Sequence, residues 1–231
     1  MTHLLVVDRV AKFYGLRPIL RGVSFTVDRG EFVAVLGANG AGKTTLLRML
    51  ATLSRPAAGA IVVDGVDAVK QPERARARIG VVSHHSLVYA DLTAHENLAF
   101  HASMHGVERE AAARAIEESL RRVNLWARAH DSARTFSRGM IQRLTIARAL
   151  LHDPPLLLLD EPYTGLDQSS ATSLSALLRE AAGDGRGIVM TTHEFGRGLD
   201  GVTRALVIRG GRIGHEIVGG VTAAALAEAL A

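Results

Sequence analysis

The segment Gly37–Thr44 constrains this chain more than any other feature of its sequence. Its residues, Gly-Ala-Asn-Gly-Ala-Gly-Lys-Thr, match the pattern G-x-x-x-x-G-K-[ST] at every fixed position. The apolar run Phe32–Leu36 precedes it, and the helix-forming stretch Thr45–Leu50 follows it. A strand, a glycine-rich loop and a helix in that order form a cradle for phosphate, because backbone N–H groups and the helix N-terminus face the anion. A glycine-rich turn before an ordinary helix is the alternative that this segment alone leaves open.

Two residues of the loop have distinct expected roles. The ammonium of Lys43 is expected to reach the β- and γ-phosphates of a nucleotide, and the hydroxyl of Thr44 to hold Mg²⁺. The residues predicted to bind the nucleotide here are Gly37, Asn39, Gly40, Ala41, Gly42, Lys43, Thr44 and Thr45. The rest of the chain decides between a nucleotide site and a simple turn.

Composition narrows the class of protein. A chain of 231 residues that is 48% hydrophobic can bury a full core, so we expect one domain, or one domain with a subdomain. The absence of cysteine excludes disulfides and cysteine-based metal sites, and it fits the cytoplasm. The N-terminal sequence is not that of a signal peptide. No apolar stretch reaches the ~20 residues that span a bilayer, so a membrane role requires a partner.

The positive charge has two interpretations. A net charge of +4 and a pI of about 9.9 can indicate a nucleic acid or an anionic membrane surface as partner. The arginines are spread along the chain instead of forming a tail, however. Ordinary solvated faces together with a nucleotide site explain the charge more simply, and we expect no nucleic acid partner.

Apolar runs and helical periodicity alternate along the chain. Strands are predicted at Leu4–Val10, Ile19–Val27, Phe32–Leu36, Ile61–Val63, Ile79–Val82, Leu156–Leu159 and Ile188–Thr191, with a hairpin at Val207–Val218. Helices are predicted at Glu96–His105, Glu110–Val123, Gly139–Leu151, Ser170–Ala181 and Thr222–Leu230. Helices between buried strands indicate the α/β class with a largely parallel sheet, and the middle segment is interpreted as a helical insertion.

A second chemical motif ends one of the predicted strands. Leu156–Glu161 is four leucines followed by two carboxylates. Buried parallel strands direct their carboxyl ends at the ligand crevice. Asp160 is therefore expected to hold Mg²⁺, and Glu161 to orient and deprotonate the attacking water. A strand that simply ends in a polar turn is the alternative, and the upstream Lys43 loop argues against it.

A third motif, Phe136–Met140, opens a predicted helix. Ser137 is a good N-cap residue, and Gly139 allows close approach of the backbone. A helix N-terminus with a free hydroxyl can bind an anion. Taken alone, the same residues could cap their own helix and do nothing more.

With these motifs in order, the chain resembles the ATP-binding subunits of ABC transporters over essentially its whole length. The family's remaining motifs correspond to the turn Thr164–Asp167 and to His193 within Thr191–Glu194. The resemblance implies an ABC-type ATPase with a RecA-like parallel-sheet core, an N-terminal antiparallel β subdomain and a helical subdomain inserted at about residues 86–153. Residues 1–231 would then form a single such domain, with ATP and Mg²⁺ as cofactors.

The resemblance also implies roles that the residues alone do not give. Ser137 and Gly139 would bind the γ-phosphate held by a second ATPase subunit, with Asp167 at the shared interface. His193 would contact and sense the γ-phosphate, and Tyr14, in Lys12–Gly15, would stack on adenine. An integral membrane transporter subunit is the other implied partner, which would place the chain peripherally on the cytoplasmic face of the cell membrane.

The sequence departs from the family pattern in two places. His84 stands where the family has the Q-loop glutamine. An imidazole can bind through its ring nitrogens, but it cannot reproduce both the carbonyl oxygen and the NH₂ group of the glutamine amide. His84 is still predicted to contact the nucleotide site. In the Leu-Ser-Gly-Gly-Gln-type motif, Arg138 replaces the second small residue and Met140 replaces glutamine, whereas Ser137 and Gly139 remain.

The transported substrate has several candidates. His84, the run Leu92–Leu98 and the segment Phe136–Met140 resemble the ATPase subunit of cytochrome c maturation haem exporters. Drug and polysaccharide exporters carry similar Ser-Arg-Gly-Met motifs and are the alternative. A DNA-repair or chromosome-structuring ATPase would need a coiled-coil or zinc insertion, and a translation factor would need two cassettes. The chain shows none of these features.

The histidines raise a separate question. His101 and His105 lie four residues apart on one predicted helix, and such spacing can bind a metal. No acidic residue or cysteine is interleaved with them. A polar helix face, in contact with a membrane partner, is the simpler interpretation.

Overall fold

Two β-sheets enclose a central helix in the computed structural model, which describes residues 3–83, 85–193, 198–222 and 224–226. The strands are β1 (Leu5–Tyr14), β2 (Arg17–Val27), β3 (Phe32–Leu36), β4 (Ala58–Val63), β5 (Val66–Asp67), β6 (Ile79–Val82), β7 (Leu156–Asp160), β8 (Gly187–Thr192), β9 (Arg204–Arg209) and β10 (Arg212–Val218). The helices are α1 (Lys43–Leu50), α2 (Pro72–Arg76), α3 (Ala94–Met104), α4 (Arg109–Arg122), α5 (Arg138–Leu150) and α6 (Gln168–Gly183).

The larger sheet carries the motifs of the sequence. Its strand order is β10-β9-β3-β8-β7-β6, and every neighbouring pair is parallel except the β9–β10 hairpin. All five residues of β3 and of β7 are buried, as expected for parallel strands covered on both faces. The carboxyl ends of β3, β7 and β8 therefore meet at one edge of this sheet.

The smaller sheet is antiparallel, with the order β2-β1-β4-β5. One hydrophobic cluster joins its inner face to α1 and to the near face of the larger sheet, through residues such as Val7, Leu46, Leu50 and Val35. The far face of the larger sheet packs on α5 and α6. Helix α1, which begins at Lys43, is thus held between the two sheets.

The segment between β6 and β7 forms its own helical cluster. Residues of α3, α4 and α5 share a core around Leu98, Ile116, Leu120 and Leu144. The start of α3 is fixed by a capping box, in which Thr93 and Glu96 each accept the other's backbone N–H. Two short 3₁₀ turns, Trp126–Arg128 and Ala133–Thr135, connect α4 to α5.

The architecture confirms the predicted fold class, including the antiparallel β subdomain and the predominantly parallel core. Several element boundaries differ from the predictions, however. Strand β1 continues to Tyr14 through irregularities in its register, the hairpin begins at Arg204, and α2 was not predicted. Of the predicted terminal helix, the structure describes helical residues at 224–226, and its remaining positions lie largely outside the described residues.

Within the described residues, no helix combines the length and the apolar character that crossing a membrane requires.

Candidate nucleotide-binding site

The glycine-rich loop is held against both sheets, and this explains two of its glycines. Gly37 has φ 151°, and a Cβ there would lie 2.6 Å from the carbonyl oxygen of Ile208 in β9. Gly42 has φ 106°, and a Cβ would lie 2.7 Å from the Leu20 side chain in β2. A side chain at Gly37 would collide with the backbone of β9, whereas one at Gly42 would displace the Leu20 side chain, and both positions have a φ that favours glycine. The loop Gly37–Thr44 therefore takes the shape required for close backbone approach.

The ammonium of Lys43 is buried and has no carboxylate partner. Lys43 is 5% exposed, and its Nζ donates to the carbonyl oxygens of Gly37 at 2.8 Å and Ala38 at 3.3 Å. Among the described residues, no acidic group forms an ion pair with it. Burial lowers the pKa of Lys43, and the more distant Glu161 and Asp160 partly oppose that shift. A buried cation without a counter-ion is favourable only when an anion joins it, so this position fits a phosphate group.

The carboxylate of Asp160 lies next to the hydroxyl of Thr44. Asp160 is buried at the end of β7, and its Oδ1 accepts a hydrogen bond from Thr44 Oγ1 at 3.2 Å and from Thr191 Oγ1 at 2.6 Å. One carboxylate and two hydroxyls are hard oxygen donors, the type that Mg²⁺ prefers. The structure thus brings Thr44 and Asp160 together as the sequence predicted for the metal.

Glu161, the residue after Asp160, has a strained backbone conformation. Its φ is 52°, in the left-handed region that residues other than glycine rarely adopt. The backbone N–H of Glu161 is held by Thr191, through the carbonyl oxygen at 3.1 Å and Oγ1 at 3.2 Å. This conformation directs the Glu161 carboxylate to His193, whose Nδ1 lies 3.0 Å from Oε1.

Of these residues, Gly42, Lys43, Thr44 and Glu161 line one cavity of about 280 Å³. Its walls include Arg17, Ile19, Asn39, Gly40, Gly42, Lys43, Thr44, Thr45 and Glu161. A neighbouring cavity of about 520 Å³ shares Arg17 and Asn39, and it also contains Arg21 and Ala41. The arrangement provides cationic side chains and a row of backbone groups on one side and a carboxylate on the other. Such a cavity can hold a polyphosphate and place a base near its terminal phosphorus.

Several residues at this site were not predicted to take part, among them Arg17 and Thr191. Arg17 borders both cavities, from the start of β2. Thr191 holds the side chain of Asp160 and the backbone of Glu161. Thr191 lies in the segment quoted around His193, so its position in the sequence offered a signal. Arg17 is brought to the site by the β1–β2 hairpin, and the local sequence gives no sign of it.

Three of the predicted nucleotide contacts lie away from the phosphate loop: Ser137, Gly139 and Asp167. They are not among the described residues that line the 280 Å³ cavity. Ser137 caps α5 by accepting the N–H of Met140 at 3.3 Å, and Asp167 caps α6 by accepting the N–H of Ser170 at 2.7 Å. Gly139 packs so closely on α6 that a Cβ would lie 2.2 Å from Ser170 Oγ. In one copy of the chain, the three residues therefore serve their own helices.

Arg138, which replaces a small residue of the motif, lines a cavity together with the carboxylates Asp160 and Glu161. The cavity has a volume of about 230 Å³ and is also lined by Gln142. The Arg138 guanidinium packs against Gly165, which has a left-handed φ of 71°, and a Cβ there would displace the guanidinium.

Tyr14 and His84 are the remaining predicted contacts of the nucleotide. Tyr14 lies at the end of β1 and is 54% exposed, with the Lys12 ammonium 5.7 Å from its ring centre. Its exposed ring is free to stack on a base, although Phe13 beside it is also exposed. His84 lies outside the described residues.

Comparison with known proteins places this geometry in a family. Residues 20–164 match the ABC transporter family. The ABC transporter ATP-binding protein NatA of Bacillus subtilis is 41% identical, over 75% of this chain and 71% of its own length. The daunorubicin resistance ATP-binding protein DrrA3 of Streptomyces coeruleorubidus is 38% identical, over 90% and 66%. The Nod factor export ATP-binding protein I of Ralstonia nicotianae is 38% identical, over 83% and 60%.

Solved structures agree with these matches. An ATP-binding subunit of an ABC transporter is 32% identical, covering 93% of this chain and 90% of the other, with a TM-score of 0.83. A dimeric ATP-binding cassette in a post-hydrolysis state, bound to ADP and Pi, is 26% identical, covering 93% and 98%, with a TM-score of 0.81. The chain spans 60–71% of the length of the three curated relatives named above.

Proposed function

The chain belongs to the ABC transporter family and contains an ABC-type ATPase domain, and on that premise we propose that it drives an exporter of a drug or a glycan. The alternative that the sequence left open, a drug or polysaccharide exporter, thereby becomes the preferred one. The names of two relatives, for daunorubicin resistance and for Nod factor export, support it.

The observation that carries the ATPase role is the buried ammonium of Lys43, which has no ion-pair partner among the described residues and lines the same cavity as the Glu161 carboxylate. Lys43 would bind the β- and γ-phosphates, and the backbone of Gly37–Thr44 would enclose them. Thr44 and Asp160 would hold Mg²⁺, which neutralises charge on the phosphates when bound. The same cavity would place the γ-phosphorus near Glu161.

Glu161 would act as the general base. Its carboxylate takes a proton from a water molecule as the water oxygen forms a bond to the γ-phosphorus, and the bond from that phosphorus to ADP breaks. His193, 3.0 Å from Oε1, orients the carboxylate and would contact the γ-phosphate. Thr191 holds both acidic residues in place, because its hydroxyl donates to the buried Asp160 carboxylate and its oxygens accept the backbone N–H of Glu161.

A second copy of the chain would complete the site. Ser137, Gly139 and Asp167 lie outside the phosphate-loop cavity of their own chain, so they can reach a γ-phosphate only across an interface. Two chains related head to tail would each supply these residues to the other's ATP. The dimeric arrangement of the solved ATP-binding cassette with ADP and Pi supports this proposal.

An apolar groove on the helical subdomain supports the membrane partner. A cavity of about 400 Å³ is lined largely by apolar residues, including Leu87, Tyr89, Phe100 and Met104. These four side chains are exposed, although burial of such residues is favourable. We propose that an integral membrane transporter subunit covers the groove and holds the chain at the cytoplasmic face of the membrane.

Two other functions have less support. Haem export rested on His84, which lies outside the described residues, and on short motif similarities, and none of the relatives named above is named for haem. A DNA-repair or chromosome-structuring ATPase would carry a long coiled coil, whereas α3 and α4 have 11 and 14 residues.

Transport can be tested in vesicles that contain the membrane subunit together with either the parent chain or its Lys43→Ala variant. We expect ATP-dependent movement of an anthracycline drug or a lipo-oligosaccharide with the parent only. No movement of either substrate would contradict the export proposal. Loss of covalently bound haem from cytochromes c after deletion of the gene would favour haem export instead.

Docking of the membrane subunit needs its own test. Met104→Glu and Phe100→Glu place a charge in the groove at exposed positions, so the fold should tolerate both. Each should prevent co-purification with the membrane subunit, whereas Leu53→Glu, at an exposed position outside the groove, should not. Normal co-purification of both groove variants would exclude this surface as the docking site.

A further inference from the structure

Three histidines converge where α3 ends beside the residues that follow α5. His101 is in the last turn of α3, His105 caps that helix, and His152 lies just beyond α5. One nitrogen from each of the three rings lies within 4.8 Å of the others. We infer that His101, His105 and His152 form a binding site for a divalent transition metal ion, with Zn²⁺ as its simplest occupant.

The hydrogen bonding of His152 prepares it as a ligand. Its Nε2 lies 3.2 Å from the carbonyl oxygen of Ile79 in β6 and can donate to it. This contact leaves Nδ1 with the lone pair, and Nδ1 is buried without a hydrogen-bond partner. Metal-bound histidines usually donate their second nitrogen to a carbonyl or carboxylate in this way.

His101 presents a second buried nitrogen of the same kind. Its Nε2 also has no hydrogen-bond partner and is shielded from solvent. Buried polar atoms without partners are uncommon because each loses its hydration and gains nothing in return. Two such atoms in one cluster of three imidazoles indicate a missing ligand that bonds to nitrogen lone pairs. A metal ion would satisfy both atoms at once.

The three rings are neighbours, and a bound state requires a small rearrangement of them. The centroid of His105 lies 4.5 Å from that of His101 and 4.2 Å from that of His152. Zinc–nitrogen bonds of ~2.0–2.1 Å in tetrahedral geometry separate ligand atoms by about 3.4 Å. The three nitrogens would need to move together by roughly an ångström. His105 is exposed and can contribute by side-chain rotation, whereas the rings of His101 and His152, whose centroids are 5.9 Å apart, must approach each other.

The charge state of the cluster favours metal binding, with one opposing group. Burial holds the pKa of His101 at about 3 and that of His152 at about 4, so both rings are neutral at physiological pH. The guanidinium of Arg148 is close enough to lower the pKa of His101 and His105, and it will also repel a cation. The negative charge of the Asp153 carboxylate, in contrast, raises the pKa of His152.

The ligand set indicates the class of metal. Three imidazoles and an open fourth position suit Zn²⁺, and Cu²⁺ or Ni²⁺ can also bind imidazole. The ion would connect α3 of the helical subdomain to β6 of the core sheet, through His152 and Ile79. His101 also lines the apolar groove, so metal binding would stiffen one wall of it.

The test uses the full chain without nucleotide or Mg²⁺. Zn²⁺ is titrated in competition with a chromophoric chelator, and Co²⁺ serves as a probe because its tetrahedral complexes absorb visible light. We expect one equivalent of metal and a higher melting temperature with Zn²⁺. His105→Ala and His152→Ala should each weaken binding by at least the ~10–100-fold that loss of a ligand's supporting partner typically costs.

His130→Ala provides the matched control. His130 is an exposed histidine that stacks on His95 at 5.7 Å, away from the cluster, and its removal should leave metal affinity unchanged. Unchanged Zn²⁺ affinity in His105→Ala would overturn the proposal, and this exposed position remains informative even if His152→Ala fails to fold. Loss of binding in His193→Ala, with binding retained in His105→Ala, would place the metal at the nucleotide site and would also overturn it.

Discussion

The Nδ1 atom of His193 lies 3.0 Å from Oε1 of Glu161, at the carboxyl ends of the neighbouring strands β8 and β7. The Glu161 side chain is 19% exposed and that of His193 is 40% exposed. The proposed base is therefore in contact with the proposed γ-phosphate sensor in the absence of nucleotide. A change at either residue should affect the other.

Glu161→Gln should abolish turnover and preserve ATP binding. The amide keeps the size of the side chain but cannot accept the proton from water, so kcat should fall by ~10²–10⁴-fold. Phosphate release gives the rate, and calorimetry gives the affinity. Glu118→Gln, at an exposed carboxylate of α4, should behave as the parent does. Hydrolysis by Glu161→Gln at the parent rate would refute the assignment of the base.

His193→Ala should lower kcat by a smaller factor than Glu161→Gln does. The variant loses the group that orients the carboxylate, but the base itself remains. If the two residues act as a unit, the double variant should hydrolyse ATP no more slowly than Glu161→Gln alone. Losses that simply multiply in the double variant would show that the 3.0 Å contact has no role in turnover.

Lys43→Met should remove ATP binding without destabilising the nucleotide-free protein. The substitution deletes a buried charge that has no counter-ion, so the melting temperature without nucleotide should equal or exceed that of the parent. Addition of ATP should then no longer raise the melting temperature of the variant. Lys70→Met, at an exposed lysine, is the control and should retain the ATP-dependent rise. A marked fall in the melting temperature of nucleotide-free Lys43→Met would mean that the ammonium is stabilised by its carbonyl contacts alone.

Ser137→Arg should block ATP-driven dimerisation and leave ATP binding to the monomer intact. A bulky cation at the cap of α5 would occupy the space of the partner's γ-phosphate but lies outside the chain's own phosphate-loop cavity. Light scattering in the Glu161→Gln background measures the dimer. Ala113→Arg, on the exposed face of α4, should dimerise normally. Full dimerisation of Ser137→Arg would exclude this interface.

Tyr14→Ala should weaken ATP binding by something like the ~1–3 kcal/mol that stacking of a base on an aromatic ring provides. The Tyr14 ring is exposed at the end of β1, and so is that of Phe13. Calorimetry on Tyr14→Ala and Phe13→Ala distinguishes them, because only the ring that stacks should affect the affinity. Equal loss in both variants would indicate damage to the β1–β2 hairpin.

The sequence was most informative where burial fixes the structure directly. Strands β3 and β6 have the predicted ends, since an apolar run of four or five residues between turn residues is typical of a buried parallel strand and is too short for a helix. The contact of Thr44 with Asp160 also followed from the motifs, because both lie at the carboxyl edge of that sheet. These features depend on local chemistry and on one rule of topology.

Other features depend on contacts that local patterns do not encode. Helix α2 has five residues, too few to show a helical period. His152 lies beside His101 and His105 only because α5 packs beside α3. The four-residue spacing of His101 and His105 therefore could not indicate the third histidine. Arg17 lies at the nucleotide cavity because the β1–β2 hairpin brings the start of β2 there. The sequence likewise could not show that Ser137 and Asp167 would cap their own helices in a single copy.

The left-handed backbone at Glu161 sets thermal stability and turnover against each other at one position. A residue with a Cβ loses about 1 kcal/mol in that conformation, whereas glycine adopts it freely. Glu161→Gly would therefore relieve the strain and remove the base in the same step. A laboratory selection for heat resistance alone would favour inactive variants here, and only a selection that also demands ATP turnover would retain the glutamate.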